Sequence, residues 1–389
     1  MAGIFCYMYR IYGILRNDIL HEVTRLGKKK VIVAMSGGVD SSLTAALLRD
    51  KGYEVIGITL RLADENRDSA CGVPDRGCCS EVSVDDARRV AEILGIPHYV
   101  LEFRELFREK VIANFLAEYA RGRTPNPCIA CNRYIKFAAM LAKADEIGAD
   151  YVATGHYARI TQEPDGEYAL RKGIDAGKDQ SYVLYNLTQA MLRRFLFPLG
   201  DYKKEHTREL AAAYELPVAN KPDSQEICFV PNDDYKAYIR QHNPGCLIPG
   251  DIVDLAGHVL GHHDGVPLYT IGQRRGLGIA APEPLYVVGL DTQTNRVIVG
   301  GAQDVFAQSL TATDLNWLSG RPIPERIKCR AKTRYGKREG EAVVERQPDG
   351  SVRVRFEEPQ RAITPGQSVV FYDGDRVLGG GIIDSVLRN

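Results

Sequence analysis

The stretch Lys30-Val31-Ile32-Val33-Ala34-Met35-Ser36-Gly37-Gly38-Val39-Asp40-Ser41-Ser42 decides the fold. Lys30 to Met35 is a short, nearly unbroken apolar run, suited to a strand buried on both faces of a parallel sheet. Ser36 to Asp40 is turn chemistry, and Ser41 to Arg49 has helical spacing. Glycines at this point let the backbone approach a phosphate closely, and the following helix start offers N–H groups and a favourable dipole. The serine hydroxyls add donors. The pattern GxxxxGK[ST] is absent, so this is not a Walker A loop. The bland alternative is a glycine-rich turn between a strand and a helix.

Outward from this loop the same alternation recurs. Gly52 closes the first helix and Tyr53 to Leu62 reads as a second strand. A helix follows over 84–94, a strand over 98–101, helices over 106–119 and 134–147, and a strand over 150–154. Strands alternating with helices predict an α/β fold with a doubly wound parallel sheet. Residues 211–285 mix a helix with loops rich in Pro, Gly and His. From Leu285 the chain has only short alternating runs such as YVVGL, RVIVGG, SVRVRF and SVVFYDG, which predict a small all-β barrel. The expected division is a leader at 1–27, a catalytic domain at 28–210, a small mixed central domain at 211–285 and a C-terminal barrel at 286–389.

Composition sets limits without naming a partner. The chain has 50 basic and 50 acidic residues, so any nucleic-acid surface must come from local clusters. No apolar run approaches the roughly 20 residues that span a bilayer. The leader MAGIFCYMYRIYGILRND is broken by Arg10, Arg16, Asn17 and Asp18 and lacks a cleavage site, so it reads as an extra helical or disordered segment. A cytoplasmic location with no membrane contact is expected. Nine cysteines in a chain of 389 residues suggest metal binding or catalysis more than a disulfide framework.

Two of those cysteines lie in Thr124-Pro125-Asn126-Pro127-Cys128-Ile129-Ala130-Cys131-Asn132, read as an ordered turn ahead of a helix beginning near Tyr134. That places Cys131 near a helix N-terminus, a position that favours the thiolate. Cys228 lies in Asp223-Ser224-Gln225-Glu226-Ile227-Cys228-Phe229. A single CxxC beside a phosphate loop has three readings: structural zinc, redox pair or sulfur carrier. Zinc wants four ligands, and no second CxxC exists. Cys78-Cys79 with Cys71 could complete a site, although adjacent cysteines chelate one ion poorly. Arg326, Lys328, Arg330, Lys332 and Arg334 alternate at period two, so a strand would set all five on one face. Such a face suits phosphate contacts, or it is a solvated strand face of mixed sign. His258, His262 and His263 sit among Gly257, Gly261 and Gly265 and read as loop histidines rather than a metal site.

The loop SGGVDSS resembles the pyrophosphate loop of the N-type ATP pyrophosphatases, which split ATP into AMP and pyrophosphate. TPNPCxxCN, ATGHYA (153–158), KDQSYVL (178–184), FPLG (197–200), KPDSQEICF (221–229) and YTIGQRRGLG (269–278) follow it in one order. From about Lys28 to its end, the chain resembles the tRNA-specific 2-thiouridylases. The resemblance implies an adenine nucleotide alpha hydrolase-like fold and a tRNA-uridine 2-sulfurtransferase. Such an enzyme thiolates C2 of the wobble uridine (position 34) through an adenylated intermediate, in tRNAs for Lys, Glu and Gln. It implies ATP at Ala34, Met35, Ser36, Gly37, Gly38, Val39, Asp40, Ser41, Ser42, Leu60 and Gly155, with Mg²⁺ on the phosphates. It implies tRNA at Asn126, Pro127, Cys128, His156, Lys178, Asp179, Gln180, Arg334, Tyr335 and Gln367. Cys131 would be the nucleophile and Cys228 the carrier of a persulfide loaded by a cysteine desulfurase or sulfur-relay protein. Part of the family has Asp at the position of Cys128. Cys128 is therefore either a proton-transfer aid or, with Cys131 and Cys228, a third thiolate for a 4Fe–4S cluster.

Overall fold

The computed structural model describes residues 28–62, 81–223 and 227–387. Strand β1 (Lys30–Ala34) leads through the glycine turn into α1 (Val39–Asp50), and β2 (Glu54–Arg61) lies parallel to β1. Helix α2 (Glu81–Leu94), β3 (His98–Glu102), β4 (Tyr151–Ala153) and β7 (Phe195–Leu196) complete a parallel sheet of order β3-β2-β1-β4-β7. Period-two alternation sorts its apolar residues to two faces. Val31 and Val33 meet Leu43, Leu47, Ala87, Val90 and Leu94 from α1 and α2. Ile32, Ile56 and Ile58 meet Phe107, Val111, Ile129, Ile135 and Phe137 on the other side. The doubly wound sheet is thus as expected. Strand order reverses beside β1, which opens a ligand crevice at the carboxyl ends of β1 and β4.

Two sheets follow. Strands β8 (Gly250–Val253), β9 (Val259–His263), β10 (Tyr286–Asp291) and β11 (Arg296–Gly300) form a mixed sheet of order β10-β11-β8-β9. The runs YVVGL and RVIVGG, expected in the barrel, are β10 and β11 and belong here instead. Alternation marks a strand but not its sheet. The barrel consists of β12 (Phe306–Trp317), β13 (Arg326–Lys332), β14 (Gly340–Arg346), β15 (Val352–Arg361), β16 (Ser368–Asp373) and β17 (Arg376–Leu387). Pairing of β12 with both β15 and β17 closes it at six strands. Leu310, Val344, Val354, Phe356, Val369 and Phe371 fill its interior.

The parts share packing. A hairpin not anticipated from sequence, β5 (Ala158–Gln162) and β6 (Tyr168–Lys172), extends the barrel sheet by pairing with β17. Val370, Tyr372 and Val377 of the barrel enter the core under the parallel sheet, and Phe115 and Tyr119 enter that of the central sheet. The Tyr182 hydroxyl donates to Ser368 O at 2.8 Å, and Asn316 Nδ2 to the carbonyls of Tyr185 (2.6 Å) and Leu187 (2.9 Å). Among the described residues no helix is long and apolar enough to cross a membrane. The Asn316 bonds give a stability test. Asn316→Ala strands two partly buried carbonyls and should lower unfolding free energy by about 2 kcal/mol, read from the urea midpoint.

Candidate active site

The phosphate loop is shaped by close backbone approach. Gly37 has φ +65°, and a Cβ there would lie 2.0 Å from Ser83 O. A Cβ on Gly155, just beyond β4, would lie 2.8–2.9 Å from atoms of Asp40 and Ser41. The Ser41 hydroxyl accepts from Ser36 N at 3.1 Å and donates to Gly38 O at 3.2 Å, bracing the turn. Ser42 Oγ is buried with no protein partner. A buried hydroxyl without a partner is costly, so an unclaimed donor at the loop suits a phosphate oxygen. Ala34 ends β1, Met35 and Val39 are buried, and Leu60 packs in the core at 8% exposure.

The cysteine helix begins earlier than the sequence reading had it. Asn126 is the N-cap, its side chain accepting from Cys128 N at 3.1 Å, with Pro127 at the first helical position of α3 (Pro127–Cys131). Helical structure then runs on through Asn132–Ala139 and Met140–Glu146. Asn at the cap and Pro at N1 are start signals in their own right. Cys128 therefore occupies the first turn and is exposed, whereas Cys131 lies one turn on and is 8% exposed. Cys228 is exposed, and its neighbour Phe229 packs edge-on against Phe107 (5.7 Å) and Phe115 (5.2 Å). Cys131 and Phe229 thus pack on one core that contains Phe107. Among the described residues no three His, Cys, Asp or Glu side chains converge to hold a metal. Of the three thiols in the alternative cluster reading, Cys128 and Cys228 are exposed and Cys131 is buried. Cys71, Cys78 and Cys79 lie outside the described residues.

The expected RNA-side residues fall into two groups. Arg334 and Tyr335 are exposed, as is Cys128, and Lys332 Nζ lies 5.8 Å from the Tyr335 ring. The others are turned inward. His156 is 8% exposed, bonded through Nδ1 to Thr154 Oγ1 at 2.7 Å, and burial pushes its pKa down to about 3, leaving it neutral. Lys178 pairs with Asp223 at 2.8 Å, Asp179 accepts from Gly173 N and Ser181 N, and Gln180 Oε1 accepts from Tyr157 N. Gln367 Nε2 donates to the carbonyls of Thr124 and Pro125. Strand β13 does alternate, but Arg326 pairs with Glu345 and Arg330 with Glu341 across β14, so the outer face is mixed in sign. His258 and His262 pair with Asp254 and Asp251, and His263 is buried against Asn295 O, so the three form no metal site.

Comparison with known proteins fits this arrangement. The model of a tRNA methyl transferase HUP domain matches residues 29–232. A tRNA methyl transferase PRC-barrel domain matches 236–301, and an aminomethyltransferase beta-barrel domain matches 307–383. The tRNA-specific 2-thiouridylase MnmA of Carboxydothermus hydrogenoformans is 57% identical over 363 residues, covering 93% of this chain and 99% of that protein. The chain belongs to the tRNA-specific 2-thiouridylase family. The MnmA protein of Moorella thermoacetica is 54% identical over 358 residues, covering 92% of this chain and all of its own. Among solved structures, the U34-tRNA thiolase NcsA from Methanococcus maripaludis with its 4Fe-4S cluster is 16% identical, with a TM-score of 0.32, covering 62% of this chain and 75% of that one. That likeness is too weak to build on.

One part of this thiouridylase site had no sequence signal. Helix α4 (Lys204–Ala213) begins with Lys204, whose ammonium is 2.7 and 2.8 Å from the two oxygens of Asp40 and 2.9 Å from Asp223. Tyr157 also donates to Asp40 at 2.8 Å, and Arg208 donates to Asp223 at 2.9 Å. Lys221 Nζ reaches Gly37 O at 3.1 Å and Asp86 at 2.8 Å. The segment leading to Cys228 is therefore pinned to the phosphate loop at two points. Nothing in KKEHTREL separates Lys204 from an ordinary solvated helix lysine. Burial alone would raise the Asp223 pKa, but hydrogen bonds and charge from Lys178 and Lys204 outweigh it and hold the carboxyl at about 2. A depressed carboxyl pKa contributes stability above its unfolded value near 3.9 and loses it as pH falls through 2, here about 2 kcal/mol. Wild-type stability should therefore fall more steeply than that of Asp223→Asn between pH 4 and pH 2, measured by urea unfolding at each pH.

Proposed function

We propose that the chain thiolates C2 of the wobble uridine of tRNA, consuming ATP and releasing AMP and pyrophosphate. The observation that carries this reading is the presence of two features in one chain of the thiouridylase family. These are a phosphate loop with a buried unclaimed hydroxyl at Ser42, and a capped helix carrying Cys128 and Cys131. Ala34 to Ser42, Leu60 and Gly155 are the residues proposed to hold ATP. Held with ATP at the loop Ser36 to Ser42, Mg²⁺ would supply positive charge to offset that developing on pyrophosphate.

The uridine O2 attacks the α-phosphorus, the O–P bond forms, pyrophosphate leaves and the N3 proton is lost to solvent. The sulfur is held as a persulfide on Cys228, loaded by a cysteine desulfurase or a relay protein. The Cys131 thiolate attacks the inner sulfur, which forms a Cys131–Cys228 disulfide and releases sulfide. Sulfide adds to C2 and AMP departs as leaving group. An external thiol then reduces the disulfide. Cys128, exposed in the first helical turn, would serve as a proton-transfer aid. Arg334 and Tyr335 offer a cation for phosphate and a ring for an unstacked base. The proposed acceptors are tRNAs for Lys, Glu and Gln.

Three measurements test this. Asp40→Ala should abolish tRNA-dependent AMP release while tRNA binding persists. Undiminished 2-thiouridine by mass spectrometry in that variant would sink the ATP assignment. Cys131→Ala and Cys228→Ala should each end thiolation, whereas Cys128→Ser should retain appreciable turnover. Loss of activity together with loss of bound iron in Cys128→Ser would favour a cluster route instead. Arg334→Ala should weaken tRNA binding and lower its log–log salt slope by about one.

A further inference from the structure

The turn ahead of the cysteine helix is gripped at one residue by both other domains. The Thr124 amide donates to Pro365 O at 2.9 Å, and its carbonyl accepts from Gln367 Nε2 at 2.8 Å. Its hydroxyl donates to Thr270 Oγ1, in YTIGQRRGLG, at 3.3 Å. Gln367 Nε2 also reaches Pro125 O at 3.3 Å, so both of its hydrogens have protein acceptors. Gly366 has φ +90°, and a Cβ there would lie 2.9–3.0 Å from Thr124 N, C and O.

The gripping turn has little freedom of its own. Gly366 N donates to Ile383 O at 2.9 Å and Ile383 N to Gln367 O at 2.8 Å, which fixes 364–367 to strand β17. Arg123, one residue before Thr124, reaches Asp384 Oδ1 at 3.0 Å and Ile383 O at 3.1 Å. Between Thr124 and the helix start, Pro125 and Pro127 each lock one backbone dihedral, and Asn126 caps the helix. A stiff link of this kind passes orientation from Thr124 to Cys128 and Cys131.

We infer that Gln367 and the 364–367 turn of the barrel are positioning elements for the cysteine helix, with Gln367 acting through Thr124. The barrel then takes part in chemistry as well as in docking RNA. The inference uses the proposed thiolation only for its turnover readout, since thiol reactivity reports it independently.

The test compares wild type with Gln367→Ala and with the isosteric Gln367→Glu, which keeps shape but loses the donor. Peptide-resolved iodoacetamide labelling follows Cys128 and Cys131 without ATP or RNA, with Cys246 as internal control. Labelling of one or both cysteines should change by about threefold or more, since thiol reactivity follows local surroundings. For Gln367→Ala, kcat at saturating tRNA should fall about ten- to hundredfold, as expected for a misplaced reacting group. Unchanged labelling of both cysteines would overturn the inference, and a tenfold loss of tRNA affinity beside it would assign Gln367 to RNA. If melting curves show either variant unfolded, Gln367→Asn, which draws the amide back from Thr124 and stays polar, carries the same labelling test under the same criteria. A wild-type chain inactive in thiolation would remove the proposed function and leave the labelling result standing.

Discussion

The ammonium of Lys204 lies between the carboxylates of Asp40 and Asp223, 8% exposed, and the geometry of the reacting half follows from that placement. Asp40 opens the helix after the phosphate loop, while Asp223 belongs to the segment that ends in Cys228. One buried cation thus fixes the phosphate loop against the segment that leads to Cys228. Such a group adds less to net stability than its short distances suggest, because desolvation consumes most of the attraction. Its worth is in specifying one arrangement. Loss of either carboxylate would strand charge away from water, so the loop and the segment are constrained to stay together. Tyr157, Arg208, Lys178 and Lys221 extend the same constraint outward.

Legibility in the sequence tracked how local each feature is. The strand, glycine turn and helix at 30–50 could be read because every determinant lies within a few residues. The same holds for strands β2 to β4. The start of the cysteine helix was also local, yet Pro125 and Pro127 were read as turn residues when Pro127, behind an Asn cap, begins a helix. Sheet membership was not local at all. Tyr286–Asp291 and Arg296–Gly300 alternate like barrel strands, and only their partners Gly250–Val253 and Val259–His263 assign them to the central sheet. Lys204 had no signal because its role depends on two carboxylates far away in sequence.

The same contrast separates the polar candidates. A period of two does set Arg326, Lys328 and Arg330 on the outer face, but charge on a sheet is decided by the neighbouring strand, and β14 brings Glu341 and Glu345. The resemblance implies that Lys178, Asp179, Gln180 and Gln367 meet tRNA. In the fold each answers a particular backbone or side-chain group. Polar residues in an ordered loop are frequently spent on the protein itself, since buried backbone groups need partners.

The hairpin 158–172 has a consequence for the order in which the chain is made. It leaves the parallel sheet early in the sequence and lies beside β17, with Arg171 opposite Arg376. On a ribosome the first domain emerges with that edge uncovered, and its partner is synthesised about 200 residues later. Until then the hairpin offers unpaired backbone groups, and Tyr182 and Tyr185 lack the Ser368 atoms that meet their hydroxyls. The nucleotide-binding half therefore cannot finish folding on its own, and a nascent chain stalled before the barrel would present an open strand to whatever it meets first.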